Sequence, residues 1–359
     1  MLKLSKTIDA FLALIRLGIG HSVYQLPDEY DWTAIHALAI QHGLLAVVLD
    51  GIDKLPAEKR PPKEVLLQWI GEVQRNYEQR YERYRLAISD LAGFYNAHGY
   101  KMMVLKGYAC ALDWPKPSHR PCGDIDIWLF GQWKEADARL KKEKQVKIDS
   151  SHHHHTVFQW QKFVVENHYD FLNVHHHKSN VELEEILKRL GQDDSHFTEV
   201  NGVRVYLPPA NLHALFLLRH SMSNFASTGM KLRQLLDWAF FVKRHGAEID
   251  WSGLESELEH FGMKKLYDIF NAICVGDLGF DVEIFPTVQF NLKLKDRVWN
   301  DILSQEFAEK EKGGIIRRAF YKFRRWKANK WKHELCFSES MWSAFWSGLK
   351  SHLLKPSSI

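Results

Sequence analysis

The fold is decided by the stretch Gly123-Asp124-Ile125-Asp126-Ile127-Trp128-Leu129. Acidic and apolar residues alternate in it, with the two-residue period of a β-strand. Asp124 and Asp126 are therefore expected on one face of the strand, with the isoleucines on the opposite, buried face. Two carboxylates held side by side repel each other unless a cation lies between them. The stretch thus predicts a site for Mg²⁺ or Mn²⁺, which prefer oxygen ligands. The alternative is a polar strand edge with two solvated acids.

The residues on either side of this stretch predict further elements of a sheet. The apolar run Met102 to Leu105 indicates a buried strand that ends at Lys106-Gly107, and a short helix over 108–112 is expected next. A proline-rich loop, residues 114–121, leads into the acidic strand. Downstream, Val164-Val165-Glu166-Asn167-His168 predicts another strand that carries a third acid.

In this order the elements resemble those of the polymerase-β-like nucleotidyltransferases. The stretch is most similar to an uncharacterised bacterial nucleotidyltransferase family, whose members combine Leu-Lys-Gly, Pro-x-x-Arg, Gly-Asp-Ile-Asp and Val-acid-x-His. The resemblance covers about residues 100 to 240. It implies an α+β protein with a small mixed sheet flanked by N- and C-terminal helical regions. The matching segments are Leu105-Lys106-Gly107, Pro117-Ser118-His119-Arg120, Gly123 to Asp126 and Val165-Glu166-Asn167-His168.

The resemblance also implies an activity, the transfer of a nucleoside monophosphate from an NTP to an acceptor hydroxyl with release of pyrophosphate. Asp124 and Asp126 would hold two Mg²⁺ or Mn²⁺ ions, and Glu166 would complete one of them and help to deprotonate the acceptor. Asp170 is a rival third acid, because alternation along the strand puts it on the Glu166 face. His168 is expected on that face too, where it could bind phosphate or hold a carboxylate.

A triphosphate site is expected next to these acids. Lys106 and Gly107 lie where a strand turns into a helix, so free backbone N–H groups and the lysine charge could take the phosphates. The broad superfamily usually has Gly-Ser or Gly-Gly at this turn, which leaves the mode of triphosphate binding open. Arg120 could clamp a phosphate, or it could tether the proline-rich loop. Gly123 belongs to the same predicted nucleotide site.

The helical half that follows the sheet contributes a further candidate group. By resemblance, His220, Arg233 and Asp237 line the cleft, with Arg233 assigned to the nucleotide. Spacing alone favours a different interpretation, in which Arg233 and Asp237 form an i, i+4 ion pair beside a buried histidine.

The rest of the chain is expected to be mainly helical. Four regions are predicted: an N-terminal helical region (1–62), a nucleotidyltransferase core (63–207), a helical domain (208–307) and a basic-aromatic helical region (308–359). A long helix from Glu64 to His98 should pack against the sheet.

Composition limits the classes of protein to which this chain can belong. The chain has 359 residues, of which 45% are hydrophobic and 26% charged, and its formal net charge is +4. This is ordinary for a folded protein, and the charge is too small to indicate nucleic-acid binding by itself. The start of the chain is amphipathic and interrupted by charges, so no signal peptide is predicted. Four cysteines without a Cys-x-x-Cys pair predict a cytoplasmic protein with no disulfide partner and no structural zinc site.

Two features do not belong to the predicted site. Four consecutive histidines, 152–155, and a second run, 175–177, resemble metal-binding tracts, but neighbours in an extended segment point to opposite faces and cannot all share one site.

Basic and aromatic residues are interleaved over 317–354, including Trp342, Phe345, Trp346, Leu349, Leu353 and Leu354 at helical spacing. A helix of this kind can lie on an anionic membrane or bind RNA, although a solvated helix face is the usual explanation. A nucleotide-binding protein without catalytic activity and a membrane-surface module therefore remain alternatives to the enzyme.

Overall fold

The protein is α+β, as the sequence predicts. The structure, a computed structural model, describes residues 6–22, 25–175, 177–286, 291–304, 314–344 and 346. In these residues seven strands form one mixed sheet with the order β3-β4-β5-β2-β1-β7-β6. The strands are β1 (Met103–Val104), β2 (Ile125–Trp128), β3 (Ile148–Asp149), β4 (His155–Trp160), β5 (Phe163–His168), β6 (Phe197–Val200) and β7 (Val203–Tyr206).

Helices precede the sheet, cover it and follow it in the chain. Their bounds are α1 (Lys6–Gly18), α2 (Trp32–His42), α3 (Leu45–Asp53), α4 (Lys63–Val73), α5 (Gln79–Ala97), α6 (Gly107–Ala111), α7 (Trp133–Lys144), α8 (Ser179–Gly191), α9 (Ala210–Ala226), α10 (Leu232–His245), α11 (Trp251–His260), α12 (Lys264–Gly276), α13 (Leu292–Ser304), α14 (Ile315–Ala328) and α15 (Lys330–Cys336).

The acidic strand β2 lies at the centre of the sheet. It runs parallel to β5, with Asp126 opposite Glu166, and antiparallel to β1. Ile125 and Ile127 are fully buried in a core that they share with α5 and α7. The alternation in the sequence therefore has the predicted effect, because the isoleucines pack on one face and Asp126 projects from the other.

The long helix predicted from Glu64 to His98 is confirmed with one difference. Residues Gln74–Glu78, between α4 and α5, form a π-helical turn. Side chains at this turn hold the loop that leads into β2: Glu78 Oε1 lies 3.2 Å from His119 Nε2, and Arg80 Nε donates to the Cys122 carbonyl at 2.8 Å. The helix thus supports the approach to the acidic strand as well as the sheet.

The N-terminal helices share one hydrophobic core with helices from the C-terminal half of the chain. Two glycines let α1 and α3 approach each other closely. A Cβ added at Gly18 would lie 2.0 Å from the Val47 carbonyl oxygen, and one at Gly51 would lie 2.1 Å from that of Leu14. Both distances are far below van der Waals contact, so each position requires glycine.

Near the C-terminus, α14 and α15 form in the predicted basic-aromatic region. Phe320, Phe323, Trp342 and Trp346 are exposed there, and a membrane or RNA role of residues 317–354 stays a prediction. The expectations for Phe345, Leu349, Leu353 and Leu354, and the predicted boundary between 307 and 308, fall outside the described residues. Among the helices in the described ranges, none is long and apolar enough to cross a bilayer.

Candidate active site

A cavity of about 410 Å³ is lined by the Asp126 side of the sheet and by α9 and α10. Except for His168, it brings together every site residue that the sequence predicts. These are Lys106, Gly107, Arg120, Gly123, Asp124, Asp126, Glu166 and Arg233, and His220 and Asp237 also line the cavity. Residues separated by more than a hundred positions in the chain thus meet here, because α9 and α10 pack over the end of β2.

Three carboxylates crowd one part of the cavity wall. Asp126 on β2 and Glu166 on β5 are register neighbours on parallel strands, and Asp124 lies just before β2. Burial, and then the charges of Glu166 and Asp126, raise the pKa of Asp124. Burial alone would raise the pKa of Asp126 as well, but the Lys106 ammonium and His168 hold it well below its usual range. Asp126 is therefore ionised.

His168 lies behind the carboxylates and does not line the cavity. Its Nε2 is 3.0 Å from Asp126 Oδ1 and 3.6 Å from Glu166 Oε2. Burial opposes protonation of this ring, but its hydrogen bond to Asp126 and its proximity to the Glu166 carboxylate raise its pKa overall. Of the two roles left open for His168, the geometry fits the one in which it holds a carboxylate. The assignment to phosphate does not match its position, because only 1% of the residue is exposed.

Asp170, the rival third acid, does not line the cavity. Strand β5 ends at His168, so the alternation that would put Asp170 on the Glu166 face does not continue. The Asp170 carboxylate instead accepts a hydrogen bond from Lys188 of α8. Glu166 is the third acid that the fold brings to the site.

The turn between β1 and α6 fixes two of the acids. Lys106 has φ 39° and ψ −106°, a conformation that costs roughly 1–3 kcal/mol in a residue with a side chain. It directs Nζ to Asp126 Oδ1 at 2.8 Å. A Cβ at Gly107 would lie 2.8 Å from Tyr84 Oη, which donates to the Asp124 carbonyl at 2.8 Å. Glycine is therefore needed for packing at this turn. No motif or spacing in the sequence selects Tyr84.

Arg120 forms a buried two-point contact with α10. Its Nε and Nη2 donate to the two carboxylate oxygens of Asp237 at 2.8 and 3.0 Å. Trp114 Nε1 donates to the same carboxylate at 2.9 Å. This geometry matches the alternative in which Arg120 tethers the proline-rich loop, and its role as a phosphate clamp stays a prediction. Arg233 and Asp237 do not form the expected ion pair in the described part of the chain. Arg120, from the proline-rich loop, is the partner of Asp237 instead.

Arg233 thus lines the cavity without a carboxylate partner among the described residues. Its Nε is buried and has no hydrogen-bond partner there. Burial, and then the nearby charge of Arg120, lower the pKa of the guanidinium, because both disfavour the charged form. A cation held in this way is suited to an anion that enters the cavity.

Comparison with models of protein families shows which family the chain belongs to. A family model described as "Uncharacterised nucleotidyltransferase" matches residues 28–275. The chain belongs to this nucleotidyltransferase family. The family that the sequence motifs indicated is therefore confirmed, and the matched region contains every residue that lines the cavity. Nucleotidyltransferases in general use nucleoside triphosphates and divalent metal ions. Comparison with curated proteins finds no match, and comparison with solved structures finds none either.

In this nucleotidyltransferase, histidines lie directly beside the acids. The chain bends at residues 152–154, so alternation does not apply there, and the rings of His154 and His155 lie 4.3 Å apart between centroids. Nitrogen atoms of His154, His155 and His168 all lie within 4.8 Å of one another. Atoms of Asp126, Glu166 and His168 form a second group with the same spacing. Alternation along an extended strand did not predict that two members of the histidine run would meet His168.

Proposed function

We propose that this protein transfers a nucleoside monophosphate from an NTP to an acceptor hydroxyl, with release of pyrophosphate, in the cavity under α9 and α10. The observation that carries the proposal is one cavity lined by Asp124, Asp126 and Glu166 and by Arg233, which has no carboxylate partner among the described residues. A metal–triphosphate complex has the complementary charges, since its metal suits the acids and its phosphates suit the arginine.

The acids fit a divalent cation on the chemistry of the donor set. Their oxygens are the ligands that Mg²⁺ and Mn²⁺ prefer. The raised pKa of Asp124 reflects its burial and repulsion from Glu166 and Asp126. In this proposal Asp124, Asp126 and Glu166 hold the metal, which would neutralise the charge that develops on the phosphate oxygens. Lys106 and His168 keep Asp126 ionised and oriented for that role.

The triphosphate would be held chiefly by Arg233. Lys106 already bonds to Asp126, and Arg120 to Asp237, so neither cation is available without breaking a contact. Lys231 also lines the cavity and is exposed, which adds a second positive charge. The sequence assigns the triphosphate to Lys106, Gly107 and Arg120 together, whereas this proposal makes Arg233 its main contact.

In this proposal the transfer step is a displacement at the α-phosphorus. The acceptor oxygen forms a bond to the α-phosphorus while the bond from that phosphorus to the bridging oxygen breaks. The acceptor proton passes to Glu166, and pyrophosphate leaves with the electron pair. Burial acts to raise the pKa of Glu166, but the hydrogen bond from His168 outweighs it, so Glu166 is an ionised carboxylate able to accept that proton.

Calorimetric titration of each NTP with Mg²⁺ tests the proposal. The wild type, the variant Asp124→Asn and the double variant Asp124→Ala/Asp126→Ala are compared, with Asp194→Asn as a control at a surface acid. Metal-dependent binding that is lost in the site variants and kept in the control supports the site. Absence of binding to the folded wild type would refute it.

Transfer of label from an α-³²P-NTP then separates the enzyme from its alternative. Label is sought in added protein, RNA and small-molecule fractions, together with released pyrophosphate. Pyrophosphate release that Asp124→Asn abolishes supports the enzyme. Tight binding with neither labelled acceptor nor pyrophosphate in any fraction would instead support a nucleotide-binding protein without catalytic activity.

A further inference from the structure

A group of imidazole rings lies beside the acids and is not used by the proposed transfer. His155 opens β4 and is paired with His168 at the end of β5, so both rings lie on the face of the sheet that carries Glu166. The chain bend before β4 adds His154, whose carbonyl oxygen accepts hydrogen bonds from Tyr169 N and Asp170 N at 3.1 Å each. The backbone thus places these three residues next to one another.

Two nitrogen atoms of this group lack hydrogen-bond partners among the described residues. Nδ1 of His154 and Nδ1 of His155 are buried and make no hydrogen bond in the described part of the chain. Buried polar atoms are normally paired, so two such atoms in adjacent rings call for a ligand. Ligand atoms of the three histidines already lie within 4.8 Å of one another, close enough for one ion.

Glu166 supplies a carboxylate to the same group. Its Oε1 lies 4.0 Å from His155 Nε2, and its Oε2 lies 3.6 Å from His168 Nε2. We infer that His154, His155, His168 and Glu166 form a site for a transition-metal ion of the zinc class, adjoining the carboxylates that the transfer uses. Three imidazoles and one carboxylate are donors that Zn²⁺ or Co²⁺ accepts readily, whereas Mg²⁺ prefers oxygen alone.

An ion bound by the histidines would hold the Glu166 carboxylate next to Asp126, which gives the site a positioning role. The inference does not depend on nucleotide transfer, because it uses only the histidines and one acid. It also gives a function to part of the histidine run at 152–155.

Titration of the full chain with Co²⁺, in the absence of nucleotide, tests the inference. The d–d absorption bands of the wild type should saturate at one ion per chain and have the intensity of a low-coordinate site with nitrogen ligands. In the double variant His154→Ala/His155→Ala the affinity should fall by more than the roughly 10–100-fold that loss of an outer-shell partner costs. His175→Ala, a neighbouring histidine outside the group, and His196→Ala, on the far edge of the sheet, should bind as the wild type does.

Thermal unfolding with and without Zn²⁺ provides a second measurement, because an ion that binds only the folded state raises the midpoint. If the double variant fails to fold, the single variants His154→Gln and His155→Gln replace it. A wild type without d–d bands at millimolar Co²⁺, or bands that survive loss of His154 and His155, would overturn the inference. A wild type that binds Mg²⁺–NTP but not Co²⁺ overturns this site alone, and the reverse result refutes only the proposed transfer.

Discussion

Replacement of Arg233 by methionine should make the protein more stable and weaken its binding of NTP. The side chain is half-buried, its Nε has no hydrogen-bond partner in the described residues, and its pKa is lowered by burial and by Arg120. Methionine reproduces the arginine side chain as far as the Nε position and has no charge to desolvate. The two expected effects have opposite signs, so a general loss of structure cannot produce both.

The magnitudes follow from the contacts of the guanidinium. A buried polar group without a partner costs about 1–3 kcal/mol, and the lower end applies here because the side chain is only half-buried. Arg233→Met should therefore raise the free energy of unfolding by about 1 kcal/mol. Hydrogen bonds to a charged group contribute roughly 1.5–3 kcal/mol, so loss of the phosphate contact should weaken NTP binding about 10–150-fold.

Arg120→Met is the matched control, since Arg120 lines the same cavity but is paired with Asp237. Breaking a buried ion pair leaves the remaining charge alone and costs roughly 3–5 kcal/mol, so this variant should be destabilised. Chemical denaturation gives the stability of both variants, and calorimetry with Mg²⁺–NTP gives their affinity. An Arg233→Met protein that is less stable than the wild type, or that binds NTP within twofold of it, would refute the assignment of Arg233.

Three further predictions concern packing and pH. Gly51→Ala should lower the thermal midpoint sharply, because the new Cβ would lie 2.1 Å from a carbonyl oxygen of α1; an unchanged midpoint would contradict the close helix contact. Gly107→Ala should weaken Mg²⁺–NTP binding by displacing Tyr84 from the Asp124 carbonyl, and Tyr84→Phe should reproduce part of that loss in the same titration. The His245 pKa is raised by its hydrogen bond to Asp113, so the stability that this contact adds should be complete below about pH 6.5 and disappear as pH rises through the raised value. Denaturation of His245→Gln across that range should show a difference from wild type that shrinks with pH, and a constant difference would count against the pair.

Much of the sheet could be predicted from local patterns. Alternation of acids and isoleucines located β2 and its buried face. An Asn-Gly pair such as Asn201-Gly202 favours a tight hairpin turn, and β6 and β7 form one with positive φ values of 51° and 75° at these residues. Aspartate is a typical N-cap residue, and the Asp31 side chain accepts a hydrogen bond from Thr33 N at 2.8 Å at the start of α2. Each of these features depends on residues within a few positions of one another, so the sequence shows them directly.

Except for His168, the residues predicted for the site line one cavity, but some of the pairings expected among them do not form. The motifs identified Asp124, Asp126 and Glu166, and all three line one cavity. Spacing along α10 predicted an ion pair for Arg233 that does not form, and alternation kept Asp170 as a rival although β5 ends before it. Helical spacing shows which residues share a face of the helix. It does not show which side chain from a distant part of the chain will pair with them.

The sequence alone determined the family, the strand that carries the acids and the kinds of residue available to the site. Only the tertiary structure decided that Arg120 takes Asp237, that Arg233 is left facing the cavity, and that His154 and His155 meet His168. These contacts join residues that are far apart in the chain or lie at a bend between elements. They depend on how α9 and α10 pack over the sheet and on where β4 begins, and the periodicity of a short segment carries no information about either.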